Sequence, residues 1–174
     1  MLVFIWCLGV STAFAQGQVT GYEPGTDAEL LAPAPGDWIN WRRTLDGQGF
    51  SPLTDINRET VSDLQLVWSW ATPPGTDQVT PLVHDGVLYV ANPGELVQAL
   101  DAVTGELLWE YERGADAPGD SFGGPPPGRM HRNISMYEEK IFLNTADAHV
   151  VAIGARTGEE VWDADIAQGV GYQI

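Results

Sequence analysis

The sequence predicts an all-β protein, and three features support that class. Short apolar runs of about five residues recur from Asp37 onward, a length that fits strands better than helices. Turn dipeptides such as Asp85-Gly86, Pro93-Gly94 and Thr104-Gly105 separate these runs. Twenty glycines and twelve prolines in 174 residues also favour many turns over long helices.

The predicted strands fall into two sets along the chain. The first set consists of the apolar runs LQLVW (64–68), VLYVA (87–91), LVQAL (96–100) and LLWEY (107–111). The second set consists of IFL (141–143), HVVAI (149–153) and EVW (160–162). Before them, the stretch SPLTDINRETVSDLQ predicts a single helical turn around Arg58–Asp63.

The last three runs of the first set and the three runs of the second set are copies of one unit. The Thr104-Gly105 turn and Trp109 lie 53 positions before the Thr157-Gly158 turn and Trp162, and the strands before them align at the same offset without a gap. A repeat of this period, made of successive hairpins, predicts a blade of a β-propeller. The near-continuous apolar run VLYVA agrees, because neighbouring blades cover both faces of a blade's inner strands.

The repeated turn and tryptophan have a structural interpretation. Glycine supplies the positive φ that tight turns often need, so Thr-Gly predicts a turn into the outermost strand of each blade. The indole then lies at a fixed point on that strand and is predicted to pack flat against the adjacent blade. Two blades cannot close a ring, so apolar residues on their open faces are expected to be partly exposed, such as Leu88, Val90, Phe142 and Trp162.

Composition and motifs exclude several functions. The net charge of −16 repels nucleic acid and anionic membranes, so neither is expected as a partner. The three histidines, His84, His131 and His149, are far apart and lack the spacing of metal ligands. The chain contains no phosphate-binding loop, dinucleotide motif or nucleophile elbow.

The chain divides into three parts by composition. Residues 1–15 are apolar and uncharged and end in Ala13-Phe14-Ala15, which predicts a secretory signal cleaved before Gln16. This run is shorter than the ~20 residues of a membrane-spanning helix, so no membrane span is expected in the mature chain. Because Cys7 lies inside the signal, the mature chain would contain no disulfide. Residues 16–36 form a polar leader, and residues 37–174 form the propeller part.

The repeats and the segment before them resemble the quinoprotein alcohol dehydrogenases, a family that includes methanol dehydrogenase. ALDAVTGELLW (99–109) fits that family's tryptophan-docking repeat, A-x-D-x-x-T-G-x-x-x-W, and the copy at 152–162 departs from it at Gly154. The entry segment is similar through Ser51-Pro52-Leu53, Ile56-Asn57 and Trp68. Gly49 stands where that segment usually has arginine.

The resemblance covers residues 37–174 and implies a place in the family. The chain would form the first blades of an eight-bladed quinoprotein propeller, as the N-terminal fragment of a periplasmic enzyme. Such an enzyme oxidises a small alcohol with pyrroloquinoline quinone (PQQ) beside Ca²⁺ or a lanthanide ion, and a cytochrome c can accept the electrons. The family's catalytic aspartate and metal ligands come later, so no catalytic or metal-binding residue is expected here and the fragment is expected to be inactive.

Two positions correspond to cofactor contacts of that family. Gln78 falls where a glutamate is usual, and it can form hydrogen bonds but brings no charge. Arg132 matches an arginine whose planar guanidinium would hydrogen-bond the quinone oxygens or carboxylates of PQQ. The alternative for Arg132 is a surface ion pair with Glu138 or Glu139.

Two departures from the family pattern keep a second function open. A pair of adjacent cysteines is common on the loop before that arginine, but residues 113–130 contain no cysteine. Together with Gln78, this favours either a divergent enzyme or a non-catalytic, PQQ-like propeller scaffold of the bacterial envelope. The entry segment favours the enzyme.

Overall fold

The computed structural model describes residues 18–75, 78–113, 134–145 and 148–166. These residues contain one short helix, α1 (Asp27–Leu31), a 3₁₀ turn (Val61–Asp63) and eight strands in two antiparallel sheets. The strands of the first sheet are β1 (Leu82–His84), β2 (Val87–Asn92), β3 (Leu96–Asp101) and β4 (Leu107–Glu112). Those of the second are β5 (Ile134–Tyr137), β6 (Lys140–Asn144), β7 (His149–Gly154) and β8 (Glu160–Asp165). The all-β prediction is confirmed.

Each sheet is an up-and-down unit of four strands in sequence order, which is the form of a propeller blade. The two sheets also share an irregularity in strand pairing at the same position of the repeat. The pairing of β3 with β4 shifts register after the Ala99–Trp109 pair, and the pairing of β7 with β8 shifts after the Ala152–Trp162 pair. The 53-residue offset therefore describes two copies of one three-dimensional unit.

Burial falls from the inner strands to the outer strand of each sheet. Tyr89 on β2, Val97 on β3 and Ile141 on β6 are fully buried, whereas every residue of β8 is exposed. One core cluster contains residues of both sheets. The apolar run of β2 is thus buried along its length except at Leu88, which agrees with the prediction, whereas burial alternates along β6, where Phe142 is partly exposed.

Trp109 docks the first sheet onto the second. Its side chain is 1% exposed, and its Nε1 donates a hydrogen bond of 2.9 Å to the carbonyl oxygen of Ala155. The indole lies against Gly158, where an added Cβ would come within 2.7 Å of Trp109 Cε3. Gly158 has φ of +71°, so the residue supplies both the turn conformation and the space for the ring. The predicted packing of this tryptophan is confirmed.

Trp68 makes the same contact with the first sheet. Its Nε1 donates to the carbonyl oxygen of Ala102 at 3.2 Å, and an added Cβ on Gly105 would lie 2.6 Å from the indole. Ala102 and Gly105 are the counterparts of Ala155 and Gly158, 53 positions earlier. The docking position on each sheet is therefore filled by a tryptophan that comes earlier in the chain.

The predicted strand at Leu64–Trp68 is absent. In the described part of the chain this run pairs with no other strand, and the side chains of Leu66 and Val67 are exposed. An apolar run becomes a strand only where a neighbouring strand accepts and donates its backbone hydrogen bonds. The helical turn expected around Arg58–Asp63 is present as the 3₁₀ turn.

Residues 18–40, called the N-terminal arm below, run across both sheets. Gly25 pairs with Glu138 beside the second sheet, and Trp38 pairs with Val83 of the first. Val19 and Tyr22 of the arm are buried in the common core. The arm contains α1, whose N-cap Thr26 forms a capping box with Glu29. The sequence pattern Thr-x-x-Glu could have predicted this helix.

Substituting Gly158 with alanine should weaken the fold more than the same change at Gly86. Both glycines have positive φ, so each substitution costs roughly 1–2 kcal/mol in backbone conformation. Only the Cβ at position 158 meets the indole, since Gly86 has open space around it, and this clash adds about 1–3 kcal/mol. Urea unfolding followed by tryptophan fluorescence measures both values. Equal losses for the two variants would contradict the docking role of the glycine.

Candidate functional site

The structure describes one of the two predicted cofactor contacts. Gln78 is exposed on the segment that leads into β1. Arg132 lies outside the described residues, as do His131 and most of the cysteine-free stretch 113–130. The predicted signal, residues 1–15, lies outside them as well. Gln78 therefore marks the end of the first sheet that lies nearest to a predicted cofactor contact.

Antiparallel pairing gathers several polar residues at the same end as Gln78. β1 is antiparallel to β2 and begins with Leu82 opposite Tyr89, so the chain enters β1 from the side on which β2 ends, at Asn92 opposite Leu96. Leu96 in turn pairs with Glu112 at the end of β4. This end of the first sheet, called the polar end below, thus combines the start of β1, the β2–β3 turn and the residues after β4.

Asn92 belongs to a hydrogen-bond network at the polar end that is centred on Gln98. Asn92 is fully buried, and its Nδ2 donates to Gln98 Oε1 at 3.0 Å. Trp70 Nε1 donates to the same oxygen at 3.0 Å, and Gln98 Nε2 donates to Glu110 Oε2 at 3.1 Å. Asn92 Oδ1 is also buried and has no hydrogen-bond partner within the described residues. A buried acceptor of this kind can take one further N–H or O–H donor.

Arg113 joins the two sheets at the polar end. Its side chain is 9% exposed, and its guanidinium lies 3.6 Å from Glu95 Oε2 on the β2–β3 turn and 2.9 Å from Asp163 Oδ2 on β8. His149 Nδ1 lies 2.6 Å from the other oxygen of Asp163. Sequence reasoning identified none of these contacts, because Arg113 and Asp163 are 50 positions apart.

The electrostatics of this bridge favour an ionised Asp163. Burial acts to raise the pKa of the Asp163 carboxyl, but hydrogen bonds from His149 and Arg113 and the charge of Arg113 outweigh it and hold the pKa below its usual range. Nearby, burial and the hydrogen bond to Glu160 raise the pKa of the Tyr111 hydroxyl. The bridge therefore combines a fixed positive charge with a carboxylate on the neighbouring sheet.

The described residues do not form a cofactor or metal site by themselves. No group of three or more acidic, histidine or cysteine side chains in this part of the chain is close enough to hold a metal ion. Of the two positions predicted to contact PQQ, the described residues include only Gln78, which is exposed. Within the same residues, no helix has the length and apolar character needed to cross a membrane.

A family of known proteins matches most of the chain. Residues 38–163 match the PQQ family described as the β-propeller domain of glucose, ethanol and alcohol dehydrogenases. The chain therefore belongs to this family of PQQ-dependent dehydrogenases. Together with the two four-stranded sheets, the match confirms the predicted fold, a partial β-propeller with tryptophan-docking repeats.

Relatives and solved structures agree with that assignment. The dehydrogenase subunit of the quinone alcohol dehydrogenase of Gluconacetobacter polyoxogenes is 35% identical over 163 residues, which are 91% of this chain and 22% of that protein. The structure of quinohemoprotein alcohol dehydrogenase ADHIIG from Pseudomonas putida HK5 superposes with a TM-score of 0.72 at 32% identity, covering 83% of this chain and 21% of that one. A europium-containing methanol dehydrogenase gives 0.69 at 28% identity, covering 80% and 25%. The chain thus spans about a fifth to a quarter of these proteins.

Replacing Asp163 with asparagine should lower stability at neutral pH by up to about 1 kcal/mol, because the carboxylate is partly exposed. A carboxyl whose pKa is lower in the folded state stabilises the fold above its unfolded pKa of about 4, and the contribution is lost as the pH falls through the folded pKa. The difference between wild type and variant should therefore disappear at acid pH. Urea unfolding at a series of pH values measures it.

The matched control is Glu112→Gln, which removes an exposed carboxylate at the end of β4. It should leave both the stability and its pH dependence nearly unchanged. An Asp163→Asn variant as stable as wild type at pH 7 would contradict the role of the bridge.

Proposed function

We propose that the chain forms the first two blades of an eight-bladed periplasmic dehydrogenase that oxidises small alcohols with PQQ and a bound Ca²⁺ or lanthanide ion. The observation that carries the proposal is the match of residues 38–163 to the PQQ propeller family. In this proposal residues 1–15 are the secretory signal, residues 16–36 lead into the fold, and residues 37–174 belong to the propeller.

Trp68 and Trp162 support a larger ring. Trp68 occupies the docking position of the first sheet, so the residues around it correspond to the outermost strand of the blade that closes the ring beside that sheet. Trp162 is the counterpart of Trp109 in the second sheet, yet it is 40% exposed. Its ring contacts Phe142 in a tilted arrangement. Both indoles therefore indicate neighbouring blades that complete the ring on either side of the two described sheets.

PQQ supplies the redox chemistry when bound, and the protein's part is to hold and orient it. In the proposal Arg132 donates hydrogen bonds from its guanidinium to cofactor oxygens, and Gln78 approaches the cofactor from the start of β1. The tryptophan contacts and the Arg113 bridge would hold the first two blades together. The metal ligands and the catalytic base would come from other parts of the full enzyme, and a cytochrome c would accept the electrons.

A chimera tests the proposed function. Residues 38–163 replace the matching segment of the Gluconacetobacter polyoxogenes dehydrogenase subunit, and alcohol oxidation with an artificial electron acceptor is measured with and without added PQQ. We expect PQQ-dependent oxidation by the chimera and none by the 174-residue chain alone. A correctly folded chimera that does not bind PQQ, or turnover by the isolated chain, would contradict the proposal.

Within the chimera, Arg132→Gln should weaken PQQ binding about 10- to 100-fold, because hydrogen bonds from a charged donor are worth about 1.5–3 kcal/mol. The control is Arg58→Gln, an exposed arginine beside the 3₁₀ turn, which should leave the affinity unchanged. Fluorescence titration of the apo chimera with PQQ gives both dissociation constants. Equal affinities would indicate the surface role of Arg132 instead.

A further inference from the structure

Arg42 is an exposed arginine that the proposed function does not use. It opens a loop, residues 42–49, that is closed by a backbone hydrogen bond of 3.1 Å from the Gly49 N–H to the Arg42 carbonyl oxygen. The next residue, Arg43, is buried, and its Nη2 donates to the carbonyl oxygens of Pro33 and Ala34 in the N-terminal arm. Arg43 therefore fixes the loop to the arm, while the side chain of Arg42 stays at the surface beside Gly49.

The guanidinium of Arg42 is held by an aromatic ring and by the absence of a side chain at position 49. Its Cζ lies 5.4 Å from the centre of the Trp41 ring, a distance at which a cation and an aromatic face attract each other. An added Cβ on Gly49 would lie 3.1 Å from both Nε and Nη2 of Arg42, closer than ordinary van der Waals contact. A side chain at position 49 and the guanidinium of Arg42 therefore compete for the same space.

This geometry gives a reason for the departure of the entry segment at Gly49. That position usually carries an arginine in the family, and here a guanidinium reaches the same part of the loop from position 42. Because a backbone hydrogen bond joins the two positions, either one can place a cation there. The positive charge is thus kept on this surface although the arginine stands at a different position of the sequence.

The surroundings of Arg42 favour a carboxylate as its partner. Among the described residues no acidic side chain forms an ion pair with Arg42, and its planar guanidinium has five N–H donors that match a carboxylate. Several apolar side chains of the same segment are more than half exposed, namely Trp41, Leu45, Phe50 and Leu53. In a chain with a net charge of −16, an arginine without an acidic partner beside exposed apolar groups is complementary to an acidic surface.

We propose that Arg42 takes the place of the arginine usual at position 49 and binds a carboxylate side chain of the part of the enzyme outside this chain. This rests on the proposed function, in which the chain is about a fifth to a quarter of a longer propeller. Trp68 places the following run, residues 64–68, against the first sheet on the side where the ring closes. The surface that brings the carboxylate would also cover the exposed apolar side chains, and exclusion of water would strengthen the ion pair.

Arg42→Gln tests the carboxylate when it is made both in the 174-residue chain and in the chimera, with hydrogen exchange of residues 41–50 as the readout. In the chain alone the exchange should accelerate at most about fivefold, since only an exposed cation–aromatic contact is lost. In the chimera it should accelerate about 20-fold or more, because a charged hydrogen bond to the carboxylate is lost as well. Arg58→Gln, at an exposed arginine of the same segment, is the matched control and should change neither.

The outcomes separate this proposal from the proposed function, because the readout needs no PQQ. A folded chimera that shows the expected exchange but does not bind PQQ would contradict the proposed function alone. Equal effects of Arg42→Gln in the chain and in the chimera would overturn the docking role, since Arg42 would then act only on Trp41. Self-association of the 174-residue chain that Arg42→Gln abolishes would overturn it too, because the carboxylate would belong to a second copy.

Two double variants of the chimera test the exchange of positions. Arg42→Gly/Gly49→Arg and Arg42→Gly/Gly49→Gln carry the same backbone strain, because Gly49 has φ of +63°, and differ only in the guanidinium. The variant with arginine should exchange about tenfold more slowly at residues 41–50, since the carboxylate regains a charged donor. Equal exchange of the two variants would overturn the replacement of position 49 by Arg42.

Discussion

The contact between an indole and a glycine turn is the interaction on which the arrangement of the two sheets depends. A four-stranded sheet of this size cannot cover both of its own faces, so each sheet needs a neighbour at a fixed distance and angle. The indole of Trp109 provides a large apolar contact, and its N–H adds one directional hydrogen bond to Ala155. Gly158 makes both possible, because a side chain there would occupy the space of the ring.

The same contact gives a physical meaning to the sequence repeat. The Thr-Gly turn and the tryptophan recur because each blade makes two such contacts. Its turn receives the indole of one neighbouring blade, and its own tryptophan packs against the turn of the other neighbour. The copy at 152–162 keeps these features although Gly154 replaces the aspartate that caps the first turn. Asp101 accepts hydrogen bonds from the backbone of Val103 and Thr104, whereas the second turn forms its backbone bonds without such a carboxylate. The turn thus tolerates loss of the side-chain cap, while the glycine is required by its close contact with the indole.

Two different sets of contacts connect the two sheets at opposite ends. At the polar end Arg113 connects the first sheet to Asp163 of the second, and at the other end the arm passes from His84 to the β5–β6 turn. These contacts surround the apolar core that both sheets share. In the proposed enzyme the polar end is also the end of Gln78, so the bridge by Arg113 would stabilise the part of the blades nearest the cofactor.

The sequence by itself determined the fold class, the repeating unit, the turns and the strands β2 to β4 and β6 to β8, because these follow from local periodicity and from glycine and tryptophan at fixed spacing. The family, too, was recognisable from the docking repeat and the entry segment. For the candidate site, the family resemblance predicted Gln78 and Arg132 as cofactor contacts. Of these two residues, only Gln78 lies in the described part of the chain.

Only the tertiary structure decided which apolar residues are buried and which polar residues meet. Trp109 and Trp162 have the same local pattern, yet one is buried and the other is 40% exposed, because only the first has a neighbouring sheet in the described residues. Leu64–Trp68 has a strand-like sequence but no strand partner. The bridge of Arg113 to Asp163 and the contacts of His84 with Asp37 and Glu23 join residues about 50 positions or more apart, and no local pattern encodes such pairs.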